Sequence, residues 1–189
     1  MNNTKRIFVA LALASSTLAG SAVVANHHKM SNPTVGGAAM APAKTIVENA
    51  SAAPNLTTLV AAVSAAGLVD TLSSPGPFTV FAPTNTAFEK LPEGTVGTLV
   101  KPENKATLTK ILTYHVVAGK LTSKDIVAAI KAGGGKASLT TVAGERLSAR
   151  LSGGSVVITD GKGGQSAVTT VDVMQSNGVV HVIDSVLLP

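Results

Sequence analysis

The spacing of apolar residues changes at Gly133-Gly134-Gly135, and this change constrains the fold more than any other feature of the sequence. Before these glycines, apolar residues recur at about every 3.6 positions, which is the period of amphipathic helices. After them, short segments alternate apolar and polar residues or are continuously apolar, as strands are. These segments are SLTTV, ERLSARLS, SVVITD, AVTTVDVM and VVHVID. The order predicts an α+β fold in which helices from the N-terminal half form a layer on an antiparallel β-sandwich.

The last two strand segments are separated by Asn177-Gly178. Asn-Gly between apolar runs is the strongest short-range hairpin signal, because both residues accept the positive φ angles of a tight turn. Glycine-containing turns separate the other segments as well, so we expect the second half of the chain to form a β-meander.

The first half contains four stretches with helical character. Residues 44–53 form a short stretch, and residues 55–74 form a stronger one with Asn55 as its expected N-cap. Residues 103–114 follow. A last helix is expected to begin after Thr122 or Ser123 and to stop at the three glycines.

Residues 78–92, FTVFAPTNTAFEKLP, join a strand to a helix. Pro83 is expected to break the strand, because proline cannot donate a hydrogen bond to a neighbouring strand. Asn85 or Thr86 would then cap the next helix, and Thr86 with Glu89 would form a capping box. The segment that contains Thr84 is therefore interpreted as a structural motif.

The N-terminus has the order of a secretory signal peptide, predicted over residues 1–25. Lys5 and Arg6 precede an apolar run that is too short to span a membrane, and Ala22 or Ala25 could end the cleavage site. Residues 26–43, rich in glycine, proline and asparagine, are predicted to be a flexible linker before a domain at residues 44–189. We therefore expect a secreted protein at the cell surface, in the medium or in the periplasm, without a transmembrane segment in its mature form.

The charge of the chain argues against nucleic-acid binding. The formal charge is +5, of which the signal peptide carries two, and the basic residues are scattered along the sequence. Aromatic residues make up 3% of the chain, with a single tyrosine. Nucleic-acid binders concentrate their basic residues and supply rings on which bases stack. A mild positive charge is compatible with anionic polysaccharides or surfaces.

Motifs for catalysis are missing from the sequence. There is no cysteine, no G-x-S-x-G and no H-E-x-x-H. His27 and His28 lie in the predicted linker, where two ligands would make a weak metal site. His115 and His181 could act with a carboxylate, since histidine titrates near neutral pH. The simpler interpretation makes both structural, and no catalytic residue, metal or cofactor is predicted.

Three segments resemble the motifs of the fasciclin domain family. They are TVFAPTNTAFEKLP at residues 79–92, YHVVAGKLTSKDI at residues 114–126 and SNGVVHVIDSVLLP at residues 176–189. They occur in the order of the family, and the resemblance covers about residues 45–189. It implies a β-sandwich wedge with a helical layer, in a protein that is secreted or attached to a surface and associated with adhesion and matrix contact. It implies no shared catalytic residues.

The second motif leaves two interpretations open. In animal members of the family a Tyr-His pair with aliphatic neighbours is linked to integrin contact, which makes Tyr114 and His115 candidate ligand-binding residues. The same neighbours would surround a buried joint between a helix and a strand.

Three function classes follow. The first is a non-enzymatic adhesion or matrix protein that contacts a cell-surface or matrix protein or polysaccharide, with self-association as a further expectation. The alternative is a small-molecule-binding or enzymatic domain with a pocket near His115 or His181. The third is an envelope-stress or stability protein that binds no specific ligand.

Overall fold

A seven-stranded sheet organises the computed structural model, which describes residues 32–189. The strand order is β4-β3-β9-β8-β7-β6-β5, and all neighbours are antiparallel except β3 and β9, which run parallel. The predicted α+β class and the β-meander from β5 to β9 are confirmed. The strands of this sheet are β3 Phe78–Pro83, β4 Val116–Ala118, β5 Lys136–Thr140, β6 Arg146–Ser152, β7 Ser155–Thr159, β8 Gln165–Gln175 and β9 Gly178–Ile183.

The helices precede or interrupt the sheet in the chain. They are α1 Ile46–Ala52, α2 Thr57–Ala66, α3 Val69–Ser73, α4 Asn85–Glu89, α5 Thr95–Leu99, α6 Lys105–Tyr114 and α7 Ser123–Ala132, with a 3₁₀ turn at Pro102–Asn104. Thr122, one of the two caps expected from the sequence, caps α7, and it also forms a capping box with Asp125. No helix in residues 32–189 is long and apolar enough to cross a membrane.

The two ends of the sheet meet, so that the strands curve into a barrel-like shape. The backbone N–H of Val142, just after β5, donates to the carbonyl of Val116 in β4 over 2.7 Å. Val117 and Thr141 form a bridge beside this bond. The predicted sandwich is thus joined along one side through its backbone.

Two apolar cores lie on opposite faces of β3 and β9. Val80 and Val180 face the core shared with the helices α1, α2 and α6. Phe81 and Ile183 face the interior of the curved sheet, where they pack with Ile126 of α7. Because both faces of β3 and β9 are covered, the sequences of these strands are apolar runs and do not alternate apolar with polar residues.

The predicted linker is wrong where the structure describes it. Residues 34–39 form a hairpin of β1 Thr34–Val35 and β2 Ala38–Ala39, and Val35 and Met40 are buried in the helical core. Gly36 and Gly37 both have positive φ, as a two-residue turn requires. Two-residue strands are too short to show a period, so no strand pattern is visible at these positions. The predicted signal peptide and linker residues His27 and His28 lie outside the described residues.

Candidate functional site

Tyr114 is the last residue of α6 and lies inside the curved sheet with no exposed surface. Its hydroxyl accepts a hydrogen bond from the N–H of Gly161 (2.8 Å) and is 3.4 Å from the Arg146 carbonyl, to which it donates. Burial raises the pKa of this hydroxyl, because the phenolate would be poorly solvated there. Tyr114 therefore links α6 to the meander and presents no surface to an outside partner.

His115 caps the C-terminus of α6 and is 2% exposed. Its Nε2 accepts from the backbone N–H of Leu187 (3.0 Å), so the ring proton must sit on Nδ1, which donates to the Ile111 carbonyl (2.8 Å). Burial lowers the pKa of His115 to about 4, although the bond to Ile111 and the charge of Asp160 oppose the shift. The imidazole is neutral at pH 7 and both nitrogens are used.

Residues 185–189 follow β9 and pass beside His115. Leu187 is buried in the core inside the curved sheet. The N–H of Leu188 donates to Asp160 Oδ2 (3.0 Å), while Asp160 Oδ1 accepts from the N–H groups of Lys162 and Gly164. Asp160 thus holds its own loop and the C-terminal segment together.

His181 lies in β9 with no exposed surface and stacks on Phe81, with 5.7 Å between ring centroids. Its Nδ1 accepts from the N–H of Asp172 (3.3 Å), and its Nε2 donates to the Leu121 carbonyl (2.8 Å). Burial lowers its pKa as well. Asp172 has a φ of 57° at an irregularity in β8, and its carboxylate accepts from the N–H and hydroxyl of Ser123 at the start of α7.

The chemistry available to these groups is limited. A general base needs a nitrogen within hydrogen-bond reach of a substrate proton, and neither His115 nor His181 offers one. Within residues 32–189, no group of three histidine or acidic side chains could hold a metal ion. Tyr114 and His115 lie together at the end of α6. His181 lies elsewhere, where β9 contacts β8 and the chain that leads into α7.

The helix caps in the strand-to-helix motif differ from the prediction. The N-cap of α4 is Thr84, whose hydroxyl accepts from the N–H of Ala87 (3.3 Å). Thr86 is exposed and forms no capping box with Glu89. Pro83 does not interrupt β3 but is its last residue, paired with Ile183. The prediction of Asn85 or Thr86 as the cap was therefore wrong by one or two positions.

Asn85 instead binds the start of another helix. Its Oδ1 accepts from the N–H of Thr58 (3.0 Å), and its Nδ2 donates to the Pro54 carbonyl and the Thr57 hydroxyl. The expected N-cap Asn55 makes no such bond, and the N-cap position of α2 is Leu56. Asn85 thus supplies from a distance the acceptor that α2 lacks locally.

Asn177 is a structural residue that the sequence indicated only as part of a turn. It is 7% exposed, and its Oδ1 accepts from the N–H of Ile46 at the start of α1. Its Nδ2 donates to the carbonyls of Leu72 and Ser74 at the end of α3. The Asn-Gly pattern predicted the hairpin, but its two turn residues are Ser176 and Asn177, and Gly178 opens β9 without the expected positive φ. The contacts with two helices come from tertiary packing that no local pattern indicates.

A cleft lies between α1, α2 and α6, beside the carbon edge of His115. Its cavity volume is about 30 Å³. Its lining is apolar apart from His115, whose nitrogens are occupied. The lining residues include Val47, Val60, Val63 and Leu112.

The family model described as the fasciclin domain matches residues 54–189, well over half of the sequence. The chain belongs to the fasciclin domain family. The resemblance of the three motifs is thereby confirmed.

Relatives of this fasciclin protein occur in bacteria and animals. The Synechocystis protein sll1483 is 50% identical over 155 residues, covering 82% of this chain and 79% of its own. Immunogenic protein MPB70 of Mycobacterium bovis is 42% identical, over 72% of this chain and 64% of that protein. Human periostin is 31% identical over 71% of this chain, but the match is 15% of periostin.

A solved structure shares the fold. It is a FAS1 domain pair from the insect cell adhesion molecule Fasciclin I, with a TM-score of 0.69 and 24% sequence identity. The match covers 77% of this chain and 51% of that one.

The three motifs of the fasciclin domain meet in one part of the sheet. The first motif forms β3, the second begins at the last residue of α6 and forms β4, and the third forms β9. These three strands are neighbours in the order β4-β3-β9. The motifs thus correspond to a buried framework, in which Tyr114, His115 and His181 each make backbone hydrogen bonds.

Proposed function

We propose that this chain is a secreted, non-enzymatic binding protein of the adhesion or extracellular-matrix type. Its partner would be a cell-surface or matrix protein or polysaccharide. One observation carries the proposal. The imidazoles of His115 and His181 are buried, and both nitrogens of each ring are bonded to backbone groups. A fold shared with a cell adhesion molecule supports the same class.

Secretion is part of the proposal and follows from residues 1–25. The positively charged start, the short apolar run and the small residues that follow match a signal peptide. The protein would act outside the cytoplasm, in the periplasm, at the cell surface or in the medium. Fractionation of producing cells tests this, because a chain without residues 1–25 should remain with the cytoplasmic proteins.

Small-molecule binding is the second candidate, and the cleft beside His115 is the observation in its favour. A cavity of about 30 Å³ has room for very few waters, since one water needs roughly 10–15 Å³. A larger ligand would have to widen the cleft in order to enter. Saturable binding of a small apolar fluorescent dye, abolished by Val63→Trp, would favour this candidate.

The test of the adhesive function is a binding assay with the labelled, purified protein. We expect saturable binding to the producer's own cells or to polysaccharide isolated from them, and loss of binding after thermal unfolding. The absence of binding to both would overturn the proposed function. Because one domain offers one such site, bridging of two surfaces would also require self-association, which light scattering measures.

A further inference from the structure

The outward-facing side chains of β5, β6 and β7 and of the first half of β8 include no carboxylate. We name these residues the meander outer face. The strand register aligns Lys136 with Arg150 and Thr140 with Arg146, so the three cations lie on one surface. The other members are polar or small: Ser138, Ser148, Ser152, Ser155, Val157, Thr159, Gln165, Ala167 and Thr169.

The cations of this face have no acidic partner. Among residues 32–189, no salt bridge involves Lys136, Arg146 or Arg150. Lys136 and Arg150 are directly opposite across the strands, a placement that destabilises a sheet when the charges are alike. The polar contact of Arg150 is with the neutral Gln165, from Nη2 to Oε1 over 2.6 Å. The face therefore carries positive charge that no carboxylate on it offsets.

The two carboxylates nearest in sequence to these strands are already engaged. Glu145 precedes β6 and pairs with Lys110 of α6 over 2.8 Å. Asp160 follows β7, is 9% exposed and accepts from three backbone N–H groups. Neither is available to neutralise Arg146 or Arg150.

We propose that the meander outer face binds an acidic polysaccharide, a sulfated or carboxylated glycan chain that lies across β5 to β8. The inference rests on the proposed function and names the surface and the chemical class of the partner. The three cations would pair with the anionic groups of the glycan. The serine and threonine hydroxyls between them would exchange hydrogen bonds with sugar hydroxyls, since each can donate and accept.

The composition of the face favours this partner over two other polyanions. No aromatic side chain lies on it, although proteins that bind single-stranded nucleic acid stack bases on aromatic rings. Its apolar members at outward positions, Val157 and Ala167, are half-buried and lie within strands. The exposed large apolar side chains in or beside these strands are Val142, Leu151 and Val171, which belong to three different segments. Three such residues are few beside the large apolar face that membrane-surface elements carry.

The experiment uses dextran sulfate as the probe and uncharged dextran of the same length as its control. Binding of the labelled protein is measured at low and high salt, with duplex DNA and anionic phospholipid vesicles in parallel. The test variant is Lys136→Gln/Arg146→Gln/Arg150→Gln. Its matched control, Lys44→Gln/Lys101→Gln/Lys105→Gln, removes the same number of charges from exposed positions on the helical half.

We expect saturable binding of dextran sulfate that weakens with salt, and none of dextran. The face variant should lose about tenfold or more in affinity, the combined effect of three exposed charge contacts, whereas the control should change by less than about threefold. Ser148→Glu, which adds a carboxylate at the centre of the face and leaves every cation in place, should weaken binding as well. Unchanged melting temperatures would show that the variants remain folded.

Equal losses in the face and control variants would overturn the assignment, since net charge alone would then account for binding. Tighter binding of DNA or of vesicles would replace the polysaccharide with that partner. The proposed function is tested separately on cells. If wild type and face variant bind cells equally, the surface is wrong and the adhesive function stands. If dextran sulfate binds at this face but cells and their polysaccharide do not, the adhesive function fails instead.

Discussion

The imidazole Nε2 of His115 accepts a hydrogen bond from the backbone N–H of Leu187, 3.0 Å away. This bond joins the end of α6 to the C-terminal segment, and it exists only while the ring is neutral. Nδ1 simultaneously donates to Ile111, so the ring has no position for a second proton without the loss of one bond.

The stability of the domain should fall as the pH drops from about 6.5 to about 4. The pKa of His115 is lowered to about 4 in the folded state, so between these values the unfolded chain binds more protons. The stabilisation from the neutral His115 ring is complete above pH 6.5, and it is lost as the pH falls through the pKa of the folded state. We expect His115 to contribute about 2–3 kcal/mol of this loss by pH 4.5, with His181 acting in the same direction.

Urea denaturation of wild type and His115→Gln at pH 7 and pH 4.5 measures this contribution. Glutamine can still accept from Leu187 but does not titrate, so the difference between the two pH values should shrink by about 2–3 kcal/mol. An unchanged difference would show that His115 is not the group responsible.

Asn85 should matter more to stability than its neighbour Thr86. Asn85→Ala leaves the N–H of Thr58 and the Pro54 carbonyl without their partner and should cost about 1–3 kcal/mol. Thr86→Ala should stay within about 0.5 kcal/mol, because its side chain is exposed and caps nothing. Urea unfolding of both variants decides the point, and equal effects would contradict the distant capping of α2.

Asn177→Ala should be among the most damaging single substitutions. It removes an acceptor for Ile46 and a donor for Leu72 and Ser74 from a site that is 7% exposed. We expect a loss of about 2–4 kcal/mol, since buried groups lose partners on two helices. Asn104→Ala is the matched control, because its single amide bond to Thr98 is exposed.

Hydrogen exchange locates the effect. Amides in α1 and α3 should lose protection in Asn177→Ala more than those of β6 and β7, whereas a uniform loss would argue against a local junction.

The C-terminal segment should contribute to the core through one residue. Leu187→Ala should cost about 2–5 kcal/mol, because the side chain is 1% exposed inside the curved sheet. Leu188→Ala should cost less than about 1 kcal/mol, since Leu188 is only partly buried. Thermal unfolding compares the two, and equal losses would contradict the assigned direction of these side chains.

The parts of the fold that a local pattern determines could be predicted from the sequence. The alternation of β5 to β8 and the Asn-Gly turn gave the meander, because side-chain direction in a strand follows a period of two. The apolar runs of β3 and β9 indicated burial but not their parallel pairing, which joins segments that are distant in the chain.

The site depended on contacts between distant residues, which local rules cannot supply. Capping preference assigned Asn85 to its own helix, whereas its amide binds α2. The hairpin at residues 34–39 was missed because each of its strands has two residues. The histidines were correctly placed at a helix end and in a strand, but their partners, Leu187 and Leu121, follow from the tertiary fold alone.

The meeting of β4 with the chain after β5 also determines how this domain can associate with others. An exposed sheet edge invites β-augmentation, in which a strand from another chain pairs with unsatisfied backbone groups. In the main sheet, the bond between Val142 and Val116 pairs the chain just after β5 with β4, the strand at the other end of the sheet. Helix α7 packs beside β5. The end strands of this sheet are therefore less open to strand addition by another chain, and contact with a partner falls to side chains on the faces.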